Sequence, residues 1–307
     1  MALQFPDFDP VVFAVPAFHL GSLTLGPFPV RWYALAYIAG IFLGYRYCVA
    51  LVRNQRLWGT RTPTATPVQL ESLMLWVTFA IILGGRIGYV LFYMLVSPDQ
   101  RADLFARPFI VFEIWTGGMS FHGAAMGVGL ALIGFARANR LVLLGVTDLV
   151  AASEPIGQFF GRLANFVNGE LWGRPTNVPW GMVFCNHHVA QENGGACPAE
   201  VMVPRHPSQL YEAALEGLVL FLVLRFATHR LKWLQRPGAT TGLWLIGYGA
   251  IRIALENVRN PDIGMPNFPL GLTMGMMLSI PMILLGTALI WWALHKPPPA
   301  PAAPQSA

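Results

Sequence analysis

The sequence predicts an all-α, polytopic membrane protein with about seven transmembrane helices. Of its 307 residues, 55% are hydrophobic and only 11% are charged, whereas a soluble domain carries about 25% charged residues. The apolar residues are gathered into runs near the ~20 residues that a helix needs to cross a bilayer. The net charge of +5 comes without a dense basic patch or a nucleic-acid-reading motif, so no nucleic-acid partner is expected.

Seven segments have the length and hydrophobicity of a membrane-spanning helix. The fourth is the least apolar because it contains Asp148, Glu154 and Arg162, so it is expected to face other parts of the protein and not lipid. The predicted spans are Trp32–Val52, Gln69–Val96, Met119–Ala138, Leu141–Phe166, Ser208–Thr228, Thr240–Val258 and Gly271–Leu294.

These spans divide the chain into three parts. Residues 1–30 are apolar but broken by prolines, and they are predicted to form an extracytoplasmic or interfacial segment. Residues 31–295 are predicted to form the seven-span membrane domain, including an extracytoplasmic loop at 167–207. The Pro/Ala-rich residues 296–307 are predicted to be a disordered cytoplasmic tail.

The basic residues outside the spans orient the chain. Eleven arginines and lysines fall in the odd-numbered loops and the C-terminal tail, and six fall on the opposite side. Because basic residues concentrate on the cytoplasmic side of a membrane, the N-terminus is predicted to lie outside and the C-terminus inside.

Five of the predicted spans carry polar side chains into the outer half of the membrane. An arginine at the bilayer centre costs at least ~2.5–3.5 kcal/mol, and three arginines are held against that cost. A water-accessible cavity or bound phosphate groups would reduce it. The polar residues placed in this layer are Tyr33, Arg86, His122, Arg162, Asn165, Tyr248, Arg252 and Glu256.

Several of these residues also have a purely structural interpretation. Arg252 and Glu256 are four apart on one helix face, where they could simply neutralise one another. Arg86 stands among glycines that permit close helix approach, and it could bond only a neighbouring carbonyl. Glycines before and after His122 suggest a helix start that turns backbone N–H groups toward a ligand, which favours a functional histidine over a core one.

The three cysteines do not indicate a metal site. Cys48 lies in the first span and is interpreted as a small apolar residue. Cys185 and Cys197 lie in the extracytoplasmic loop, where a disulfide is chemically permitted, and the sequence leaves that bond open. The chain contains neither CxxC nor HExxH, so no metal is expected.

Residues 161–176 read GRLANFVNGELWGRPT and have the character of a phosphate site. Arg162 and Asn165 are three apart and share a helix face, and Asn168 and Glu170 follow at the outer water boundary. A guanidinium with flanking amides and open backbone suits a phosphate group. The generic motifs GxxxxGK[ST] and GxGxxG are absent.

The same run resembles the signature of the prolipoprotein diacylglyceryl transferase family, Gly-Arg-x-[Gly/Ala]-Asn-Phe-apolar-Asn-x-Glu-x-x-Gly. The signature matches from Gly161 through Gly173 without exception. Residues 185–203 and the tail after Lys296 match nothing in the pattern. Further family-like stretches, in the family's order, are Arg31–Tyr33, Gly84–Tyr89, Gly117–Gly123, His206–Glu212 and Tyr248–Arg259.

The resemblance implies a multi-pass enzyme of the bacterial inner membrane, with its active site toward the outer leaflet. Phosphatidylglycerol would donate its diacylglyceryl group to the lipobox cysteine of a prolipoprotein signal peptide, forming a thioether and releasing glycerol phosphate. This is the first step of lipoprotein maturation. The reaction needs no metal or organic cofactor, and its partners are the two substrates and membrane lipid. The family's important residues fall on Tyr33, His122, Arg162, Asn165, Glu170, Gly173, Tyr248, Arg252 and Glu256.

The chemistry of that reaction suggests a role for each catalytic candidate. A thiol must ionise before it attacks, so His122 is the candidate base, although the sequence does not decide which group takes the thiol proton. A departing phosphate needs preorganised cations, which assigns Arg162 and Arg252 to the phosphate and Glu256 to orienting Arg252. The residues predicted to bind phosphatidylglycerol are Tyr33, Arg86, Arg162, Asn165, Glu170, Gly173, Tyr248 and Arg252.

Two other classes of function remain open. A transporter or flippase for an anionic substrate would also use intramembrane arginines, although the chain lacks the repeated halves that transporters often show. A purely structural subunit is disfavoured by three arginines in the outer half of the membrane. Covalent lipidation of a peptide distinguishes the enzyme from both.

Overall fold

The computed structural model describes residues 2–20, 23–113, 117–260 and 271–296, and most of these are helical. Two segments are π-helical, Val90–Met94 and Ala213–Val219. The α-helices in the described ranges are α1 (Trp32–Arg53), α2 (Pro67–Tyr89), α3 (Pro98–Ala106), α4 (Phe121–Ala138), α5 (Leu143–Val167), α6 (His187–Glu192), α7 (Ser208–Glu212), α8 (Leu220–His229), α9 (Ala239–Leu255) and α10 (Met274–His295).

The long apolar helices confirm the predicted class of multi-pass membrane protein. By length and composition, α1, α2 with its π-helical extension, α4 and α10 can each cross a membrane, and α9 is a shorter apolar helix. The remaining predicted spans coincide with α5 and with the continuous run from α7 to α8. The number of crossings and the orientation of the termini stay predictions.

Local sequence explains where several helices begin and end. Thr66 accepts a hydrogen bond from the Gln69 backbone and Gln69 returns one, a capping box that starts α2 at Pro67. This places the start two residues before the predicted span. At the same end of the bundle, Asp148 of α5 accepts hydrogen bonds from the backbone N–H groups of Gly238 (2.8 Å) and Thr241 (2.7 Å). A buried aspartate of one helix therefore caps the N-terminus of another, α9.

Glycines allow two pairs of helices to touch backbone to backbone. In α2, a Cβ added at Gly88 would come within 3.1 Å of the Gly123 nitrogen of α4, and one at Gly84 would lie 3.1 Å from the Gly127 Cα. In α9, a Cβ at Gly242 would lie 2.7 Å from the Gly286 carbonyl of α10. Small residues at such positions let apolar helices gain dispersion contacts within lipid.

The predicted extracytoplasmic segments 1–30 and 167–207 are joined in the structure. Strand β1 (Leu3–Gln4) pairs in parallel with β6 (Met182–Val183) of the loop. The remaining strands form antiparallel pairs, namely β2 (Val11–Val15) with β5 (Phe28–Arg31) and β3 (Phe18–Leu20) with β4 (Leu23–Leu25). These short strands depart from the all-α prediction, because β-branched and aromatic residues interrupted by prolines favour extended backbone.

A small hydrophobic core holds this β-paired region together. Phe5, Phe184 and Val201 are buried in it. Cys185 and Cys197 form a disulfide with their Cα atoms 5.8 Å apart, which answers the question that the sequence left open. Residues 297–307 of the predicted tail lie outside the described residues.

Candidate active site

Arg162 and Asn165 occupy the last turns of α5, where the signature run leaves the helix. Asn165 is 5% exposed, and its side-chain amide donates to Glu170 Oε1 at 2.7 Å. Asn168 donates to the same oxygen at 3.5 Å. Gly169 has a φ of +68°, the left-handed conformation that a helix C-terminus commonly needs. The turn therefore folds Glu170 back onto the two asparagines.

Arg162 belongs to a buried cluster of ion pairs, which we call the ion-pair network. Its Nε lies 2.8 Å from Glu212 Oε2 and its Nη2 lies 3.6 Å from Glu216 Oε2. Glu212 closes α7 and Glu216 lies one turn later in the π-helical segment, and both side chains are 0% exposed. The network comprises Arg162, Arg252, Arg259, Glu212, Glu216 and Glu256.

Glu212 joins all three arginines of the network. Both of its oxygens accept a hydrogen bond from Arg259 Nη1, each at 2.9 Å, and Arg252 Nη1 lies 4.0 Å away. Removing two charges from water is costly and is offset only by close, well-directed partners. Glu212 thus supplies the negative charge around which the three guanidinium groups are gathered.

Arg252 and Glu256 form the pair that the sequence predicts. Arg252 Nη2 lies 2.9 Å from Glu256 Oε1, one helical turn away at the C-terminal end of α9. Glu256 Oε1 also lies 3.8 Å from Arg259 Nε. A Cβ added at Gly275 of α10 would overlap Glu256 Oε1 and approach Arg252 Nε to 3.1 Å. Gly275 therefore leaves the space in which this pair sits.

Two tyrosines predicted to bind the lipid lie beside the same arginine. Tyr33 and Tyr248 both interact electrostatically with Arg162. Tyr33, at the start of α1, faces the Asn165 side chain. Tyr248 of α9 stacks on Trp244, with ring centroids 5.7 Å apart. The structure brings Tyr33, Asn165, Arg162 and Tyr248 together from three different helices.

Gly173 has a steric role in this arrangement. A Cβ there would overlap the Val258 carbonyl and come within 2.8 Å of His206 Cβ. The Gly173 backbone N–H donates to the His206 carbonyl at 2.8 Å, and Gly173 forms an antiparallel bridge with Arg259. Because Gly173 has no side chain, the end of the signature run can pack against the segment that carries Arg259.

Residues at the start of α7 and just before it hold the end of the signature run in place. Ser208 Oγ donates to the Leu171 carbonyl at 2.9 Å. The Arg205 guanidinium stacks over the Trp172 ring, 4.0 Å from its centroid. Burial lowers the pKa of Arg205 and of His206 from their ordinary values.

His122 and Arg86 lie on a different pair of helices, α4 and α2. His122 is exposed, and among the described residues it makes a ring contact with Phe121 but no hydrogen bond or ion pair. Arg86 is 6% exposed. Its guanidinium donates to the carbonyls of Ile110, Val111 (2.9 Å), Gly117 (2.7 Å) and Gly118 (3.1 Å).

These four carbonyls favour the structural interpretation of Arg86. They take up four of the five N–H donors of its guanidinium, which is the structural interpretation that the sequence left open. We therefore assign Arg86 to holding the loop before α4. A direct role of Arg86 in binding phosphatidylglycerol stays a prediction.

Glu212, Glu216 and the inward position of Arg259 are site features that the sequence alone did not predict. The fifth predicted span contains both glutamates four residues apart, and an intramembrane acid is as costly as an intramembrane base. That cost was a usable signal for both residues. Arg259 directly follows the sixth predicted span, and only its long-range pairing with Glu212 shows that it belongs to the ion-pair network.

The network leaves two arginines open to a ligand. The side chains of Arg162 and Arg252 are 16% and 15% exposed, whereas that of Arg259 is 8% exposed and the carboxylates are 5% exposed or less. Two adjacent guanidinium groups with open edges suit a phosphate group. Within the described ranges, no three His, Cys, Asp or Glu side chains are grouped as metal ligands.

Comparison with known proteins agrees with this chemistry. The sequence model described as prolipoprotein diacylglyceryl transferase matches residues 21–292. The phosphatidylglycerol–prolipoprotein diacylglyceryl transferase of Caulobacter sp. (strain K31) is 60% identical over 301 residues, which cover 97% of each chain. The protein of that name from Phenylobacterium zucineum (strain HLK1) is 56% identical over 98% of each chain. The one from Cereibacter sphaeroides (strain ATCC 17025) is 47% identical over 92% of this chain and 95% of the relative. The chain belongs to the prolipoprotein diacylglyceryl transferase family.

Proposed function

We propose that this chain transfers the diacylglyceryl group of phosphatidylglycerol to the lipobox cysteine thiol of prolipoproteins, the first step of bacterial lipoprotein maturation. The observation that carries the proposal is the pair of partly exposed arginines, Arg162 and Arg252, held by buried carboxylates in a member of this family. The enzyme acts in the bacterial inner membrane, with its site toward the outer leaflet.

The reaction is a displacement at a glycerol carbon. The sulfur of the peptide forms a C–S bond, the C–O bond to phosphate breaks, and glycerol phosphate leaves with the electron pair of that bond. The proton of the thiol passes to a base or to water. Because negative charge grows on the departing phosphate, donors fixed before the reaction stabilise the transition state more than they stabilise the substrate.

Arg162 and Arg252 bind the phosphate in this mechanism. Glu212 and Glu256 hold the two guanidinium groups in place through contacts of 2.8 and 2.9 Å, so the clamp is not rebuilt in each turnover. Tyr33, Asn165 and Tyr248 surround Arg162 and donate hydrogen bonds to the lipid head group. Glu170 orients Asn165 through the 2.7 Å hydrogen bond.

His122 is the candidate base for the thiol. Its exposed ring leaves both nitrogens accessible to a substrate. Because it belongs to α4 and not to the helices of the ion-pair network, the bound lipid and the signal peptide would lie between His122 and the arginines.

Lipidation of a peptide tests the function. Purified full-length protein in detergent is given phosphatidylglycerol and a synthetic lipobox peptide, and the peptide mass and released glycerol phosphate are measured. We expect one diacylglyceryl group per peptide and an equal amount of glycerol phosphate. A matched peptide with serine in place of the cysteine should stay unmodified. A transporter or structural subunit would leave both peptides unchanged, and that result would refute the proposal.

A further inference from the structure

Glu216 is held differently from the other two carboxylates of the ion-pair network. Its side chain is 0% exposed, yet neither oxygen accepts a hydrogen bond from any residue in the described ranges. Glu212 accepts two hydrogen bonds at 2.9 Å, and Glu256 lies 2.9 Å from Arg252 Nη2. The ion pair of Glu216 is with Arg162 Nη2, at 3.6 Å. The negative charge of Glu216 thus depends on Arg162, and in the proposed reaction Arg162 also binds the phosphate of the substrate.

The backbone around Glu216 is also unusual. Glu216 lies in the middle of the π-helical segment Ala213–Val219. π-Helical turns are rare and often mark functional sites. A buried carboxylate without hydrogen bonds is costly to keep ionised, and both oxygens of Glu216 are buried without one.

The charges that face Glu216 can be counted element by element. From α5 come Arg162 and also Glu154, whose Oε2 accepts a hydrogen bond from Trp244 Nε1 at 2.7 Å. Together with Glu154, the six residues of the ion-pair network comprise three arginines and four glutamates. The charged and titratable groups around Glu216 are Glu154 and Arg162 of α5, Glu212 of α7, Tyr248 and Arg252 of α9, and Arg259 after α9.

A bound phosphodiester would disturb this balance. It adds one negative charge beside Arg162 and competes with Glu216 for the positive charge of the guanidinium, which Glu212 holds in place. In a site of low dielectric constant, an uncompensated carboxylate is neutralised by protonation. Glu212 and Glu256 keep their own close arginine contacts, whereas Glu216 does not.

We propose that Glu216 takes up a proton when an anionic phosphodiester binds to Arg162, so that lipid binding and protonation are coupled. The inference rests on the proposed function, because it places the lipid phosphate on Arg162. The proton comes from water, the carboxylate becomes a neutral acid, and no bond of the lipid changes. Glu216 is a positioning residue, since it acts through Arg162.

The coupling has a definite sign. Where the free protein holds Glu216 ionised and the complex holds it protonated, a rise in pH opposes lipid binding. One coupled proton weakens the affinity by up to about tenfold per pH unit. A glutamine at this position mimics the neutral acid, so Glu216→Gln should bind phosphatidylglycerol more tightly than wild type at high pH, with no dependence on pH from this group.

Calorimetric titration measures the proton directly. Full-length protein in detergent is titrated with phosphatidylglycerol between pH 6 and 8, without peptide so that no turnover occurs, in two buffers of different protonation enthalpy. We expect wild type to take up a proton, with an upper limit of about one per lipid bound. Glu216→Gln should take up none. Glu71→Gln, a matched change at an exposed position of α2, should behave as wild type, and Glu154→Gln should move the uptake to lower pH.

The outcomes separate the two proposals. Wild type that binds and transfers the lipid but takes up no proton would overturn the coupling and leave the proposed function standing. Equal proton uptake by wild type and Glu216→Gln would also overturn it. Wild type that neither binds phosphatidylglycerol nor lipidates a lipobox peptide would refute both. Thermal unfolding of each variant checks that it is folded. If a variant is not folded, the titration of wild type still shows whether lipid binding takes up a proton.

Discussion

Both carboxylate oxygens of Glu212 accept a hydrogen bond from Nη1 of Arg259, each at 2.9 Å. The same carboxylate lies 2.8 Å from Arg162 Nε. Replacing Glu212 by glutamine leaves the three arginines of the ion-pair network short of one negative charge. Breaking a buried pair in this way costs about 3–5 kcal/mol, so Glu212→Gln should lower the unfolding temperature and abolish lipidation. Arg107→Gln removes an ion pair whose arginine is 61% exposed, and it should change stability by less than about 1 kcal/mol.

His122→Gln should lose activity in a way that alkaline pH partly restores. A thiol with a pKa of about 8.5 is only a few per cent ionised at pH 7, so complete ionisation can gain only about 30-fold. Single-turnover lipidation of a lipobox peptide from pH 7 to pH 9 measures this recovery. A flat profile would mean that His122 positions a substrate and that another group or water takes the proton.

Arg162→Gln should show a deeper loss that no pH restores. Losing one preorganised contact to a developing anion typically costs about 10²–10³-fold in rate, and raising the pH does not replace the missing donor. The same single-turnover assay applies, after thermal unfolding shows that the variant is folded. Full activity in Arg162→Gln would remove this residue from the phosphate clamp.

Gly275→Ala should impair the site without a change in any charged residue. The new Cβ would overlap Glu256 Oε1 and push the carboxylate away from Arg252. We expect lower activity with an intact fold, because Arg252 would be held less firmly. Gly129→Ala in α4 is the control, because its Cβ would meet nothing within 4 Å and alanine favours a helix by up to about 1 kcal/mol. Equal activities for the two alanine variants would show that Glu256 has room to move.

Labelling of single cysteines tests the predicted orientation. Thr60, Gln191 and Arg236 are exposed, so each can carry a reactive thiol. The native disulfide occupies Cys185 and Cys197 and stays in place, and Cys48 is buried. In intact spheroplasts, an impermeant thiol reagent should label Gln191→Cys and should not label Thr60→Cys or Arg236→Cys. Labelling of Arg236→Cys from outside would reverse the assignment.

The sequence predicts the helices well because membrane spans are encoded locally. Each apolar run is long enough to be recognised without its neighbours, and α4 ends at Ala138 as predicted. The pairing of Arg252 with Glu256 is local too, since four residues separate them. Both predictions need only the periodicity of one helix.

Contacts between distant parts of the chain were not predictable in this way. Arg86 and Arg162 are alike as intramembrane arginines, but one donates to backbone carbonyls 24 to 32 residues later and the other pairs with glutamates in another helix. Only the packing of helices distinguishes the two. The pairing of Leu3 with Met182 was hidden for the same reason, because two-residue strands carry almost no local signal.

The pairing of β1 with β6 has a consequence for the order of assembly during synthesis. The first strand has no partner until the ribosome has made more than half of the chain, through Met182. The ion-pair network is completed later still, because Glu212 pairs with Arg259, which is synthesised after it. A nascent chain stopped after Glu216 and before Arg252 would hold both glutamates in the bilayer without two of the three arginines of the network. Such truncated chains should be recognised by membrane proteases that act on exposed intramembrane charge, and only the chain that has passed Arg259 should escape them.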